Sequence, residues 1–430
     1  MEPIIKPVQT SADFPPQTTV VVIGGGIIGL TTALNLAERG IPVVVLEKGR
    51  LAGEQSSRNL GWIRKLSRSQ RDLPLSQLSE RLWSEMHERT GMDVGYRQAG
   101  MMFIGREEAE LEPYRKWLES IQDFAPGSRM ITSKEVDEMV PGSAQTWAGG
   151  LYNPTDGYAE PMLASTALAT AAQKAGAILV ENCAVRTLSL SAGKVSGVVT
   201  EHGEILCEGV VLASGRWSRR FLGNLGVDLP TLPLIGTGIR TAPVDGPSDI
   251  AVGASNFSFR KRVDGGYTIM QRGMLTAPLT FDHARVGMKF LPVLKANKSA
   301  MRIALNKHWV DEMRLQRRWK ADSVSPFEYQ RITSPPAEQD LVDEAMANLA
   351  AAWPVFKGVE VKASWGGLID VTPDSDPVIS PVDTVPGLIV STGYSGHGFG
   401  VAPGAGQLTA DLVMNEAPVI DPDPYRLSRF

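Results

Sequence analysis

The stretch Val20-Val21-Val22-Ile23-Gly24-Gly25-Gly26-Ile27-Ile28-Gly29 decides the fold. The β-branched run is too short for a helix and suits a buried parallel strand, and the glycines that follow at once read as a tight turn opening a helix. Gly24 permits the turn, Gly26 lets a pyrophosphate approach the backbone, and Gly29 lets the next helix, about residues 30–39, pack closely on the strand; Ile28 between them joins the candidate contacts. Gly40 ends the helix. A second strand, Pro42 to Leu46, delivers Glu47 and Lys48 about twenty residues after the glycines, where the carboxylate can accept hydrogen bonds from an adenosine ribose and disfavours a 2′-phosphate. Strand, glycines, helix, strand and acid in register point to dinucleotide binding on a Rossmann-like α/β domain.

The chain has 430 residues, of which 43% are hydrophobic and 21% charged, with 43 Gly and 29 Pro. This length suits two or three domains, and the composition is that of a Gly-rich soluble enzyme rather than a disordered or coiled-coil chain. The balance of 43 basic against 47 acidic residues, net −4, carries no electrostatic footprint for nucleic acid. Cys183 and Cys207 are too few for a disulfide framework or a Cys-based zinc site, which suits a reducing compartment. His87, His202, His283 and His308 lack metal-ligand spacing, so no metal is expected. Residues 1–19 lack the basic and apolar regions of a signal peptide, and no apolar run approaches the roughly 20 residues of a membrane span. A cytoplasmic location without a transmembrane segment is the expectation.

A flavin dinucleotide is long enough to need contacts from segments far from the fingerprint, whereas the fingerprint alone holds only the ADP half. Three such segments are present. Gly53-Glu54-Gln55-Ser56-Ser57-Arg58-Asn59-Leu60-Gly61-Trp62 follows Glu47 directly and is rich in small and hydrogen-bonding residues. The strand Gly209 to Ala213 runs into Ser214-Gly215-Arg216-Trp217, after a hairpin-like stretch at Lys194–Thr200 and the upstream Val185. The strand Leu388 to Thr392 runs into Gly393-Tyr394-Ser395-Gly396-His397-Gly398-Phe399-Gly400, followed by helical spacing over 401–414. There the free N–H groups and the positive end of a helix dipole can face an anionic ring. FAD is the expected cofactor.

Several short patterns carry a family resemblance: Gly53 to Arg58, Asp228-Leu229-Pro230-Thr231-Leu232-Pro233, Ser325-Pro326-Phe327-Glu328, Trp365-Gly366-Gly367 with Pro373-Asp374 and Pro377 to Ser380, and the closing Tyr425 to Phe430. Over nearly its whole length the chain resembles the FAD enzymes of the D-amino acid oxidase, glycine oxidase and sarcosine oxidase superfamily. It is more similar within that group to bacterial L-amino acid deaminases, membrane-associated flavoenzymes that turn L-amino acids into 2-oxo acids and ammonia. Two departures stand out. The hydrophobic N-terminal anchor of typical members is not found here, and Gly396-His397-Gly398-Phe399 stands where an aromatic residue lines the deaminase pocket, so His397 takes its place in a more polar pocket. Sarcosine-type relatives tie a covalent flavin to a cysteine in the C-terminal half, and no cysteine here lies beyond Cys207, so the FAD is expected to be non-covalent.

Amino-acid oxidation needs a clamped carboxylate, and a guanidinium fork matches one bidentately. The D-amino acid and glycine oxidases place that arginine on the strand before a PDG-like segment. Here the stretch Ala363 to Asp370, including Gly367, has none, which argues against a D-amino acid substrate. In the alternating strand Asn256 to Tyr267, Arg260 and Arg262 share one face, and by resemblance Arg260 matches the deaminases' carboxylate-binding arginine. The alternative is that Arg260 pairs with a carboxylate such as Asp264, or is solvated. Arg64 is a further cation near the 55–62 loop. Trp62, Phe257, Trp365, Tyr394 and Phe399 are candidates to wall the side-chain pocket, with ordinary core packing as the alternative. Arg260, His397 and Trp365 are the candidate catalytic residues, without a general base being assigned to His397.

By the resemblance the chemistry is hydride transfer from Cα to N5 of FAD and hydrolysis of the released imino acid, on a broad range of neutral and larger L-amino acids. Reoxidation by O2 with H2O2 release is expected, a quinone being the alternative acceptor. A D-amino acid dehydrogenase or a sarcosine/glycine-type secondary-amine oxidase is the rival enzyme, and a non-catalytic FAD subunit of a larger complex the rival of another class. The FAD-binding domain is expected to be discontinuous (18–97, 152–232 and 363–418). A substrate domain with a mixed or antiparallel sheet would hold 98–151 and 233–362, including a helical insertion at 284–335, with tails at 1–17 and 419–430. Residues 284–331 hold eleven Lys/Arg against four Asp/Glu, and Ala300 to Leu305 has helical spacing. Such a segment suits peripheral contact with a membrane surface, a solvated face or a subunit contact, which leaves a homodimer open.

Overall fold

In the computed structural model, which describes residues 3–121, 125–291, 301–304 and 307–430, two sheets organise the chain. The first has six strands in the order Val378–Pro381, Leu388–Thr392, Gly209–Leu212, Val20–Ile23, Val43–Leu46, Ile178–Val180. All neighbours are parallel except the Val378–Pro381 edge. The central runs VVVI, VVVL and GVVL are buried on both faces, as a parallel sheet covered on both sides requires. On one face lie the helices Ile27–Glu38, Pro161–Lys174 and Gly398–Val413, with Leu73–Ser84 packed against the last. Near the other lies a three-stranded antiparallel sheet, Val185–Ser191, Lys194–Thr200 and Gly203–Leu206. The helix after the glycines begins at Ile27, three residues earlier than the apolar spacing suggests, because Gly26 itself is the N-cap.

The second sheet has ten strands, mostly antiparallel, and is backed by the helix Gln339–Ala352. Its longest pairing joins Leu232–Thr241 to Val361–Val371. That pairing corrects the expected boundary at 363: the strand containing Trp365 and Gly367 belongs to this second sheet, and the chain re-enters the dinucleotide domain only after it. Met301–Ala304 is also a strand, paired in parallel with Leu275–Pro278. The helical reading of 300–305 is thus overturned at 301–304, where ladder partners outweigh side-chain spacing; residues 300 and 305 lie outside the described residues. Among the described residues the insertion includes the helices Lys307–Arg314 and Pro326–Tyr329. The C-terminal segment is no loose tail: Tyr425 is buried, and its hydroxyl donates to Arg71 O at 2.7 Å. Among the described residues, no helix is long and apolar enough to cross a membrane.

Candidate active site

At the carboxyl ends of the first sheet's strands, with Leu368, Ile369 and Asp370 of the second sheet contributing, opens a cleft that runs from Glu47 at one end to Gly396, Gly398 and Phe399 at the other. Its floor is the glycine turn. Gly24 has φ +113°, and a Cβ there would stand 2.5 Å from Ala213 O; on Gly29 it would stand 2.0 Å from Gly24 O. Only glycine lets helix, turn and strand come this close. Ser56 Oγ accepts from Ile27 N at 2.8 Å and closes the first turn of the helix. The Glu47 carboxylate accepts from Gly25 N and Gly49 N, both at 2.8 Å. Burial raises this carboxyl above its ordinary value against the opposing pull of Lys48 and those amides.

Of the residues expected to hold the cofactor, Gly24, Gly26, Ile28, Glu47, Lys48, Gln55, Ser56, Val185, Ser214, Gly215, Trp217, Gly396, Gly398 and Phe399 line this cleft. The others stand behind its wall. Gly29 packs on Gly24, and Ser57 Oγ donates to Pro3 O and Glu54 O. Arg58 donates to Thr333 O and Gly53 O. Gly61 lies against Ala159 O, Gly367 against the Gln55 amide, and Gly400 against the Trp62 carbonyl. The sequence missed Cys183, Asp370, Phe327 and Ile332 in the lining. The last two belong to the insertion, and no local signal ties them to a glycine turn some three hundred residues away. Lys48 also points elsewhere than expected: its ammonium donates to Gln330 O at 2.9 Å and Arg331 O at 2.5 Å and lies 4.3 Å over the Trp217 ring. Thr333 N donates to Glu54 Oε1 at 2.7 Å, so the chain after Phe327 is strapped across the Glu47 end of the cleft.

The cleft suits an extended dinucleotide such as FAD. It is lined from both ends of the sheet, its glycines leave the backbone bare, and Gln55 Oε1 is buried in it without a hydrogen-bond partner among the described residues. At the far end, the first turn of the helix Gly398–Val413, capped by His397, offers amide groups that an α-helix leaves unpaired.

Arg260 corrects the sequence reading most sharply. It is fully buried, donates to both Glu160 oxygens at 2.7 and 3.1 Å, and binds Leu60 O and Lys261 O besides. Its carboxylate partner is internal, although it is Glu160 and not Asp264, and it does not line the cleft. Arg262 joins the same carboxylate at 3.5 Å and pairs with Asp264 at 3.3 Å. Phe257 is likewise no pocket wall: it is buried among Trp147, Phe259 and Trp353. Trp365 is buried, and its indole N–H donates to Arg58 O at 3.0 Å, a packing role. Tyr394 and Phe399 do line the cleft; Phe399 also stacks on Trp83 at 5.0 Å.

Beyond Phe399 lies a polar cluster. Trp62 packs edge-on to Phe103 at 5.9 Å, and the guanidinium carbons of Arg64 and Arg272 stand 5.3 and 4.6 Å from the Phe103 ring centre. His397 Nε2 faces Asp72 Oδ2 at 3.4 Å, and Arg68 Nε faces the same oxygen at 3.7 Å. Burial, and then the Arg68 charge, push the His397 imidazolium below its ordinary value. Trp62 Nε1 and Arg272 Nη1 are buried without hydrogen-bond partners among the described residues, whereas Arg68 Nε and His397 Nε2 share the Asp72 carboxylate. Buried polar groups are normally satisfied, so this pair marks a place for a ligand. Arg272 was not singled out from sequence, because it sits beyond the turn that ends the Arg260 strand.

Residues 19–412 match the family described as FAD dependent oxidoreductase (DAO). The L-amino acid deaminase from Proteus vulgaris is 33% identical and superposes with a TM-score of 0.93 over 98% of this chain and 100% of that one. The form of that enzyme lacking its specific insertion sequence, 30% identical over 100% of this chain and 97% of that one, superposes at 0.79. Glycine oxidase from Geobacillus kaustophilus is 27% identical over 95% of this chain and 96% of its own. The chain also matches human mitochondrial dimethylglycine dehydrogenase at 24% identity over 99% of its length but spans only 46% of that protein, about half.

Proposed function

The chain belongs to the FAD dependent oxidoreductase family, and on that premise we propose that it oxidises L-amino acids to 2-oxo acids and ammonia. One observation carries the reading. The likeness to the Proteus vulgaris deaminase spans 98% of this chain and is greater than for that enzyme with its specific insertion sequence deleted, 0.93 against 0.79. Identity to glycine oxidase over 95% of this chain supports a second reading, oxidation of glycine or a secondary amine.

When bound, FAD supplies a two-electron acceptor for the hydride from the substrate Cα. The chain's own residues bind and orient. The glycine turn and Glu47 hold the dinucleotide end, and the amide-rich start of the helix Gly398–Val413 favours negative charge at the other. Arg64 and Arg272 take the substrate carboxylate beside Trp62 and Phe103, in place of the Arg260 expected from sequence. Phe399 and Tyr394 keep water from the reacting carbon. His397, with its imidazolium disfavoured, brings no positive charge to the amine, and an amine that arrives neutral needs no protein base. Release of the imine and attack of water complete the balance: amino acid, water and acceptor become 2-oxo acid, ammonia and reduced acceptor. In the same proposal the FAD is held non-covalently and O2 takes the two electrons, with release of H2O2.

Anaerobic titration tests this. L-amino acids are expected to bleach the flavin absorbance while D-forms, glycine and sarcosine do not, and readmitted air restores the colour with one H2O2 per turnover. Bleaching by glycine or sarcosine alone selects the second reading.

A further inference from the structure

The insertion ends on residues 325–333, which are fastened to both sides of the cofactor cleft. On one side the fastening is fixed. The Phe327 ring is buried among Trp217, Phe221 and Trp319, and Arg186 donates to both Glu328 oxygens at 3.0 and 2.8 Å. The chain then crosses to the loop after Glu47. Lys48 Nζ holds the carbonyls of Gln330 and Arg331, and Arg331 Nη1 returns a bond to Lys48 O at 2.7 Å. Thr333 donates its amide to Glu54 at 2.7 Å and accepts from Arg58 at 2.6 Å. Gly49 allows this approach, since a Cβ there would stand 2.7 Å from Arg331 O. The Arg331 guanidinium reaches back to Glu201 with bonds of 2.8 and 2.6 Å. Phe327 and Ile332 line the cleft together with Lys48 and Glu54 from one side and Trp217 and Phe221 from the other, so the crossing segment covers the space between them.

We propose that residues 329–333 are a strap, hinged on Phe327, that closes over the adenosine end of bound FAD, and that the cofactor enters and leaves only when the strap lifts. The inference rests on FAD binding alone and holds whichever amine is oxidised. What fastens the strap is protein rather than cofactor: the partners of Arg331 are Lys48 O and Glu201, and Arg331 itself stands outside the lining of the cleft. Such bonds form over an empty cleft as over a filled one. The fraction of molecules with the strap open therefore scales the arrival and the departure of FAD alike. The fastenings also suit repeated opening. They join backbone groups and charged side chains, with the Arg331 side chain 33% exposed, so lifting exchanges them for bonds to water at a modest net cost. Phe327, packed against three rings, stays behind as the fixed point.

Two rates test this without any turnover: exchange of the holoenzyme's FAD against an excess of isotopically labelled FAD, and binding of FAD to the full-length apoprotein. Arg331→Met removes the bonds to Lys48 O and Glu201 and leaves the cleft lining untouched. Exchange in this variant is expected to be at least about fivefold faster than in the parent. Binding to the apoprotein should accelerate by a similar factor, so that Kd changes less than either rate. Glu201→Gln weakens the same fastening from the other partner and should act in the same direction; as the milder change, it carries the test if Arg331→Met does not fold. Arg129→Met breaks an ion pair with Glu135 in the second sheet and serves as the control, with exchange expected at the parent's rate. Exchange at the parent's rate in both strap variants overturns the proposal. Faster release with an unchanged binding rate overturns it too, because the segment is then a fixed wall and not a strap. Equal acceleration in Arg129→Met would show a general loosening of the fold and overturn it as well.

Discussion

Replacing Arg260 with Met removes a guanidinium that is fully buried and bonded to both oxygens of Glu160 at 2.7 and 3.1 Å. Glu160, 2% exposed, keeps Arg262 at 3.5 Å and the Val263 amide at 3.1 Å, so it retains some compensation. Removing one member of a buried pair costs about 3–5 kcal/mol because the other charge stays desolvated. At about 2.1 cal/mol/K per residue, the 430 residues unfold with an entropy near 0.9 kcal/mol/K, so the melting temperature should fall by about 3–6 °C. Replacing both members, Arg260→Met with Glu160→Leu, should recover much of the loss, since no unpaired charge remains. Flavin fluorescence during a thermal ramp reads the melting temperature, and steady-state kinetics on the folded fraction read KM. A variant that melts with the parent yet raises KM at least about tenfold for every amino acid would refute the structural assignment and return Arg260 to the substrate, as a lost charged contact there is worth that much.

Three further outcomes are expected. Gly29→Ala places a Cβ 2.0 Å from Gly24 O, against backbone that cannot give way, so the purified variant should lose most of its bound flavin, read from the ratio of visible to ultraviolet absorbance. Asp376 is pushed up to about 6, first by burial and then by Asp72 and Asp374, against the Ser69 hydrogen bond. A folded-state value above the unfolded 3.8 means that the native state binds the proton more tightly, so this contribution is present at low pH and lost as pH rises through about 6. Asp376→Asn should therefore melt above the parent at pH 8, the gap closing towards pH 4; a gap that widens on acidification contradicts the assignment. Cys183 lines the cleft but burial pushes its thiol up to about 11, which leaves it without thiolate character. Acid precipitation should accordingly leave the flavin in the supernatant, and yellow colour retained in the pellet would show a covalent link.

Local sterics made the dinucleotide half readable. Val20–Ile23, the glycine turn and Glu47 interact with near neighbours in the chain, and each residue type there admits few conformations. The same holds for the run into Gly398, where strand, glycines and helix follow one another. The ladder at Met301–Ala304 was misread because its pairing with Leu275–Pro278 lies outside the segment, and a parallel partner overrides a short stretch of helical spacing. Trp365 and Phe257 were misplaced for a related reason: an aromatic residue looks the same in a sequence whether it walls a cleft or packs under a sheet, and only burial and the Trp365 bond to Arg58 O distinguish the two.

By itself, then, the sequence determined the fold class, the cofactor class and the family, since these rest on short-range periodicity and on glycines whose spacing has few alternatives. Tertiary structure alone decided which charges meet. Arg260 reaches Glu160, a hundred residues away, while Arg64 and Arg272, each just past the end of a different strand, converge on Phe103, and among the described residues neither has a carboxylate within ion-pair distance. Pairing of charges is a matter of distance in space, and the one-dimensional order of residues does not encode that distance.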